Sequence, residues 1–331
     1  MIAATLPALL QPFFTERLLA QRRASAHTVA SYRDCFRLLL SFATTRLEKQ
    51  PSALAIEDLD AALIGKFLDH LECERGNSAR SRNVRLAALH SFFRYVAMNE
   101  PAYALHCQRV LAIPSKRHER KPVGFLDEDE IAALLKAPDL TQWIGRRDRA
   151  LLLVATQTGL RVSELVGLRR EDVSLDAGAH VRCQGKGRKH RATPLRKDAV
   201  TVLKEWMAEN EGPATAPLFP NSRGGSLSRD AVESLVARHL ASASADRPSL
   251  KAKKVTPHTL RHSAAMDLLQ HGVDRSVIAL WLGHESVETT QIYLHADMRL
   301  KEKALAHTTP TKQAPARYRP RDRLLAFLEG L

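Results

Sequence analysis

A nine-residue segment in the first half of the chain constrains the fold more than any other feature. It reads PSKRHERKP from Pro114 to Pro122, and five of its nine residues are Lys, Arg or His. Such a segment is too charged for a core, and its prolines oppose helix continuation. With 331 residues in all, the chain is therefore predicted to form two domains joined by a basic linker. The linker either follows a phosphate backbone or is simply solvated.

The residues before this linker have apolar side chains at spacings of three and four, which is typical of amphipathic helices. Polar joints divide the stretch between Leu6 and Met98. We predict four helices, over 6–22, 27–46, 57–74 and 79–98. The predicted N-caps are Ser25, Ser52 and Asn77.

After the linker, helical patterns alternate with one group of short, partly alternating segments. These segments are EDVSLD, HVRCQ and HRATPL, and they predict a small antiparallel sheet between helices. The expected fold is mainly α with a small antiparallel β-sheet. The predicted divisions are a helical domain over 1–113, a linker over 114–125, a mixed α/β domain over 126–307 and a tail over 308–331.

Composition favours a polyanionic partner. Lys and Arg number 50 against 36 Asp and Glu, which gives a formal charge of +14. Nucleic acid is the first candidate, although acidic lipid also attracts such a surface. The dispersed cysteines, without a Cys-x-x-Cys pair, indicate reduced thiols and hence a cytoplasmic protein. They are Cys35, Cys73, Cys107 and Cys183. We expect no signal peptide and no membrane partner, since no apolar run is long enough to span a bilayer.

One motif, TPHTLRH, begins a helix and carries two basic groups. Thr256 is a suitable cap, and His258 and Arg261 lie three apart on one helix face. His258 and His262 lie four apart, which is also the spacing of a helical zinc pair. Zinc hydrolases of that kind need Glu directly after the first His, where Thr259 stands here. The metal hypothesis therefore lacks the general base that such a site uses.

Three more segments add groups suited to a phosphodiester. Arg161 follows a glycine turn in TGLRVSEL with Glu164 one turn later, and Lys186 lies between two glycines in a predicted hairpin. His284 follows Gly283, and Tyr293 comes nine residues later. Taken alone, each of these has an ordinary surface or packing explanation. Together, two Arg, a Lys, two His and a Tyr supply cations, a proton donor and a nucleophile.

These segments resemble the tyrosine recombinase, or phage integrase, family, and their layout is closest to Xer-type recombinases and mobile-element integrases. TGLRVSEL, GKG, HTLRH, LGH and the tyrosine helix occur here in the family's order and at about its separations. HTVASYRDCFRLLLSF and SARSRNVRLAALHSFFRYV resemble the family's core-binding (SAM-like) DNA-binding domain less specifically. The resemblance implies a helical core-binding domain followed by a mixed α/β catalytic domain.

The resemblance also implies roles for the site residues. Arg161 and Arg261 would hold the non-bridging oxygens of the scissile phosphate, Tyr293 would attack it, and Lys186 would protonate the leaving 5′ hydroxyl. Three residues would assist by moving protons or bracing the site: His258, His284 and Glu164. The implied reaction is site-specific DNA recombination through a covalent 3′-phosphotyrosine and a Holliday junction, without metal or nucleotide cofactor.

Two other functions stay open at this point: a type IB topoisomerase-like enzyme that relaxes DNA, and a catalytically idle DNA-binding protein. The implied partners are double-stranded DNA carrying recombination sites and a homo-tetramer, or related recombinase protomers. Apolar residues in ADMRLKEKALAH and in the ending RDRLLAFLEGL suit packing either on the same protomer or on a neighbour. Both domains are expected to contact DNA. The predicted phosphate contacts are Arg80, Arg82, Arg85, Lys116, Arg117, Arg120 and Lys121.

Overall fold

The computed structural model describes residues 5–119, 123–185, 190–283, Thr290 and Tyr293. Its contacts divide the chain into two compact units, Met1–Arg120 and Lys121–Leu331. The boundary falls inside the charged segment described above. Within the described residues, no helix is both long and apolar enough to cross a membrane.

The first unit is helical. Helix α1 (Leu6–Pro12) continues as a π-helical segment over Phe13–Gln21. The remaining helices are α2 (Ala26–Leu47), α3 (Ala61–Cys73), α4 (Ala79–Asn99) and α5 (Ala104–Leu111). Pro12 lacks an N–H and its ring crowds the preceding turn, and the wider π-helical turns begin directly after it. The Arg22 amide accordingly donates to the Arg17 carbonyl, five residues back.

Aromatic side chains form the centre of this unit. Phe13, Phe36 and Phe92 are buried, and the ring centroids of Phe13 and Phe36 lie 5.3 Å and 5.2 Å from that of Phe92. These edge-to-face contacts join the first, second and fourth helical segments. The four predicted helices therefore exist, whereas α5 was not predicted.

Two of the three predicted N-caps are wrong. The Ser25 hydroxyl does accept a hydrogen bond from the Thr28 amide at the start of α2. Helix α3 is capped by Asp60 instead of Ser52, which lies in the 3₁₀ turn Pro51–Ala53. Ser78 caps α4 in place of Asn77. Asp58 accepts from the Ala55 amide, and this local turn delays the third helix beyond its predicted start.

The second unit contains seven α-helices among the described residues and one sheet. The helices are α6 (Glu128–Lys136), α7 (Trp143–Thr158), α8 (Val162–Val166), α9 (Lys197–Glu209), α10 (Arg229–Asp246), α11 (Pro257–Gln270) and α12 (Arg275–Leu282). The strands are β1 (Val173–Ser174), β2 (His180–Gln184) and β3 (His190–Pro194), antiparallel in the order β1-β2-β3. This confirms the predicted mainly α fold with its small antiparallel sheet.

Helix α7 is the central element of this unit. Its residues from Ala150 to Thr158 are all buried, and it contacts α6, α9 and α11. A stretch of helix that is buried on every side must be enclosed by other elements. Its C-terminal end is thereby fixed in the interior, where the candidate site is built.

Candidate active site

Two helices whose ends lie together both terminate at a glycine. Gly159 ends α7 with φ +61°, and Gly283 ends α12 with φ +64°. Glycine adopts this left-handed conformation without a Cβ penalty. A Cβ added at Gly159 would lie only 2.6 Å from Leu282 Cδ2. The two helix ends are therefore packed directly against each other.

Arg261 of α11 bridges these two helix ends. Its Nη1 donates to the Gly159 carbonyl at 2.6 Å and its Nη2 to the Leu282 carbonyl at 2.7 Å. Helix C-termini carry partial negative charge, which stabilises a buried cation. Burial and the nearby charge of Arg161 lower the pKa of Arg261 to about 10. Arg261 therefore remains a cation at neutral pH although only 3% of it is exposed.

Arg161 occupies the N-cap position of α8. Its Nη1 donates to Glu164 Oε1 at 3.0 Å and its Nη2 to the Gly283 carbonyl at 3.2 Å. Its backbone amide donates to Glu164 Oε2 at 2.8 Å. The Arg161 side chain is 32% exposed and that of Glu164 only 4%. Arg161 can therefore reach a ligand while a buried carboxylate fixes its direction.

Arg191 of β3 contacts the same carboxylate and was not singled out by the sequence analysis. Its Nη1 and Nη2 donate to Glu164 Oε1 and Oε2 at 3.0 Å and 2.7 Å. Burial raises the pKa of Glu164, but the hydrogen bonds and charges of Arg191 and Arg161 outweigh it and leave that pKa below its usual value. The signal that could have identified Arg191 is its register. Arg191 and Thr193 take the inward positions of β3, and an inward arginine needs a partner.

The nucleophile predicted from the sequence lies beside the second histidine of HTLRH. Tyr293 is 1% exposed and packs with Met266, Ile278 and other side chains of α11 and α12. Its hydroxyl lies 3.0 Å from His262 Nδ1. Burial raises the pKa of Tyr293, and the charges of Arg261 and Arg161 act in the opposite direction without cancelling the shift. The structure thus brings Tyr293 into the electrostatic reach of both arginines.

His258 occupies the first turn of α11 and is exposed, whereas Arg261 is buried. Its ring packs edge-on against that of His262, with centroids 4.2 Å apart. His262 was considered in the sequence only as half of a zinc pair, and its position beside Tyr293 is new. Among the described residues, no cluster of three His, Cys, Asp or Glu side chains could hold a metal ion. A zinc pair of His258 and His262 therefore finds no third ligand in that part of the chain.

Two predicted catalytic residues, Lys186 and His284, lie outside the described residues. Lys186 belongs to the segment that connects β2 to β3, and His284 directly follows the Gly283 turn. Their roles stay predictions. The predicted amphipathic helix after Tyr293 and the terminal tail also lie outside the described residues.

The predicted DNA-contacting arginines of α4 differ in accessibility. Arg80 is exposed, but Arg82 is only 5% exposed and its Nη1 donates to the Pro114 carbonyl at 2.9 Å. Arg85 is half-buried, and its Nη1 donates to the Ser31 carbonyl at 2.9 Å. One face of α4 carries both Arg82 and Arg85, and their burial and carbonyl partners leave little of either side chain accessible for the predicted phosphate contacts. That face of α4 packs against its own unit.

The predicted phosphate contacts in the linker also differ in accessibility. Lys116 is exposed, yet its Nζ donates to Glu72 at 2.6 Å, and its backbone pairs with the Asn83 side chain. Arg117 is exposed. Arg120 and Lys121 lie outside the described residues. Arg80, Lys116 and Arg117 are the exposed members of the described candidates, and of these Lys116 is engaged by Glu72.

Comparison with known proteins identifies the family. The model of the phage integrase family matches residues 124–299, and that of its N-terminal SAM-like domain matches residues 13–100. The putative integrase/recombinase y4rC of Sinorhizobium fredii is 56% identical over 328 residues, which cover 99% of each chain. The tyrosine recombinase XerC of Pelobacter propionicus is 37% identical over 291 residues, covering 87% of this chain and 91% of the relative.

Solved structures share the fold. The XerH site-specific recombinase, crystallised with its palindromic difH substrate in a post-cleavage complex, superposes with a TM-score of 0.69 at 24% identity. The match covers 86% of this chain and 81% of that one. The chain belongs to the phage integrase family and is a tyrosine recombinase.

Proposed function

We propose that this chain cleaves and rejoins DNA strands at specific sites through Tyr293. The main support is the position of the Tyr293 hydroxyl, which lies 3.0 Å from His262 Nδ1. The charges of Arg261 and Arg161 both act on this hydroxyl. These two arginines donate to neighbouring carbonyls, Arg261 to Gly159 and Leu282 and Arg161 to Gly283. Two cations beside a nucleophilic oxygen suit the in-line displacement of a phosphodiester, because they stabilise charge on the non-bridging oxygens.

In the proposed step, the Tyr293 oxygen attacks the scissile phosphorus. The new bond joins that oxygen to phosphorus, and the bond that breaks joins phosphorus to the 5′ oxygen. The phenolic proton passes to a neighbouring base, for which the His262 contact at 3.0 Å provides a path. Lys186 gives a proton to the leaving 5′ hydroxyl. The 3′-phosphotyrosyl ester keeps the energy of the broken bond, so the reverse reaction reseals the strand without a nucleotide cofactor.

His258 and His284 are proposed to assist proton movement and to hold the phosphate, and Glu164 to orient Arg161. The names of the relatives, tyrosine recombinase XerC and integrase/recombinase, support strand exchange over simple relaxation. The same names favour catalysis over an idle DNA-binding role. A cytoplasmic location accords with a DNA substrate. Contacts to phosphate carry no sequence information, so the target sequence is read by contacts to base edges.

A covalent-trapping assay tests the nucleophile. A duplex with a nick just 3′ of the cleavage position loses its short cleaved fragment, so the tyrosyl adduct accumulates and is detected by denaturing electrophoresis. Tyr293→Phe should bind DNA normally and form no adduct. Tyr95→Phe is the matched control, because it removes a hydroxyl from a packed tyrosine of the first unit. An adduct formed by Tyr293→Phe would refute the assignment.

Strand exchange between two labelled duplexes then separates a recombinase from a topoisomerase, which would relax supercoils without joining strands from different duplexes. We further propose that exchange occurs in a homo-tetramer on two sites, and that the tail packs on a neighbouring protomer. Deleting residues 315–331 should spare binding to one site and weaken pairing of two. Unchanged two-site assembly would contradict the tail's role.

A further inference from the structure

Arg191 contacts parts of the site that are far apart in the sequence. It makes two hydrogen bonds to Glu164, the carboxylate that also holds Arg161. It packs against Gly283, because a Cβ added there would lie 2.8 Å from Arg191 Nη1 and 3.3 Å from its Cδ. It is also the second residue of β3, the strand that follows the segment containing Lys186 in the sequence.

The contact with Gly283 also connects Arg191 to Arg161. The Gly283 carbonyl accepts a hydrogen bond from Arg161 Nη2, and His284 is the next residue. Arg191 therefore touches both acceptors of the Arg161 guanidinium, the carboxylate of Glu164 and the turn of Gly283. A shift of Arg191 would displace both at once.

Exposure separates the roles of the two arginines. The side chain of Arg191 is 11% exposed, against 32% for Arg161, although both bind one carboxylate whose side chain is 4% exposed. A planar guanidinium that binds a carboxylate with two parallel hydrogen bonds fixes its orientation better than a single contact. We propose that Arg191 is a positioning residue, which holds Glu164 ionised and aligned so that Arg161 faces the scissile phosphate.

This inference rests on the proposed cleavage chemistry, and the same nicked-duplex assay tests it. Arg191→Met removes the guanidinium and keeps much of the aliphatic volume. Misplacement of Arg161 by about 1 Å should slow single-turnover cleavage by roughly 100-fold. Arg191→Lys keeps the charge but replaces the planar two-nitrogen fork with a single ammonium nitrogen, so it should recover part of the rate. Equal rates for the Met and Lys variants would contradict positioning by this charge.

A pH profile distinguishes positioning from general bracing. In the wild type, Arg191 helps keep the pKa of Glu164 below its usual value. Arg191→Met removes that stabilisation, so Glu164 should protonate at a higher pH and the acid limb of the rate profile should move upward in pH. The Glu164→Gln variant has no titratable group at this position. Adding Arg191→Met to it should therefore leave the acid limb where it is. An acid limb that stays in place in the single Arg191→Met variant overturns the proposal.

Arg147→Met is the matched control. Arg147 also binds a buried carboxylate, Asp148, with two donors at 3.0 Å and 2.7 Å, in the same unit but outside the candidate site. The Arg147→Met variant should lose about as much unfolding free energy as Arg191→Met and should still cleave DNA. If both variants lose activity alike while folded, the effect is general and Arg191 has no specific role. If the wild-type protein forms no adduct, the proposed function fails instead.

Discussion

Replacing Gly159 with Ala should damage both the stability and the chemistry of the second unit. An L-residue at φ +61° costs about 1–2 kcal/mol. The added methyl would also lie 2.6 Å from Leu282 Cδ2 and 3.2 Å from Ala264 Cβ, and overpacking of this kind costs about 1–3 kcal/mol. Because the Gly159 carbonyl accepts a hydrogen bond from Arg261, a displaced turn also misplaces that guanidinium.

Gly178→Ala separates the two contributions. Gly178 has φ +77°, but an added Cβ would meet nothing within 4 Å. Both variants share the backbone strain and the same entropy gain from losing a glycine in the unfolded chain. Their difference in unfolding free energy should therefore equal the steric part, about 1–3 kcal/mol.

Urea denaturation followed by tryptophan fluorescence measures this difference. All three tryptophans, Trp143, Trp206 and Trp281, belong to the second unit, so the signal reports the unit that carries both substitutions. At a temperature where both variants are folded, adduct formation should fall only for Gly159→Ala. Equal losses of unfolding free energy would refute the argument from packing.

Three other predictions follow from the site and the surface. Lys186→Ala should slow cleavage, and a 5′-bridging phosphorothiolate, whose sulfur leaves without a proton, should restore much of the rate; absence of selective rescue would assign Lys186 another role. A thiol reagent at pH 8 should label Cys73, which is exposed, and spare Cys183, because burial raises the pKa of Cys183 to about 11. Labelling of Cys183 detected by peptide mass spectrometry would contradict this expectation. Neutralising Arg80 and Arg117 should reduce the slope of log affinity against log salt by about 2, and an unchanged slope would remove both from the DNA-contact set.

Local signals in the sequence were sufficient for most of the secondary structure of the second unit. Asp127, Thr256 and Gly283 mark helix starts and stops through short-range hydrogen bonds or a backbone conformation, and such features depend on few neighbours. Where competing caps lay close together, as with Asn77 and Ser78, spacing alone did not choose correctly. The competition was settled by which oxygen the folded turn directs at the helix amides.

The sequence by itself determined the family, the order of the site residues and the mainly α fold, because each is encoded in short motifs whose residue types have few alternative uses. Tertiary structure alone decided the partnerships. Arg191 and Glu164 are 27 residues apart and His262 and Tyr293 are 31 apart, so their contacts depend on how strands and helices pack. The same packing turned Arg82 inward. Helical spacing identifies which residues share a face, but the face that is buried is chosen by the rest of the fold.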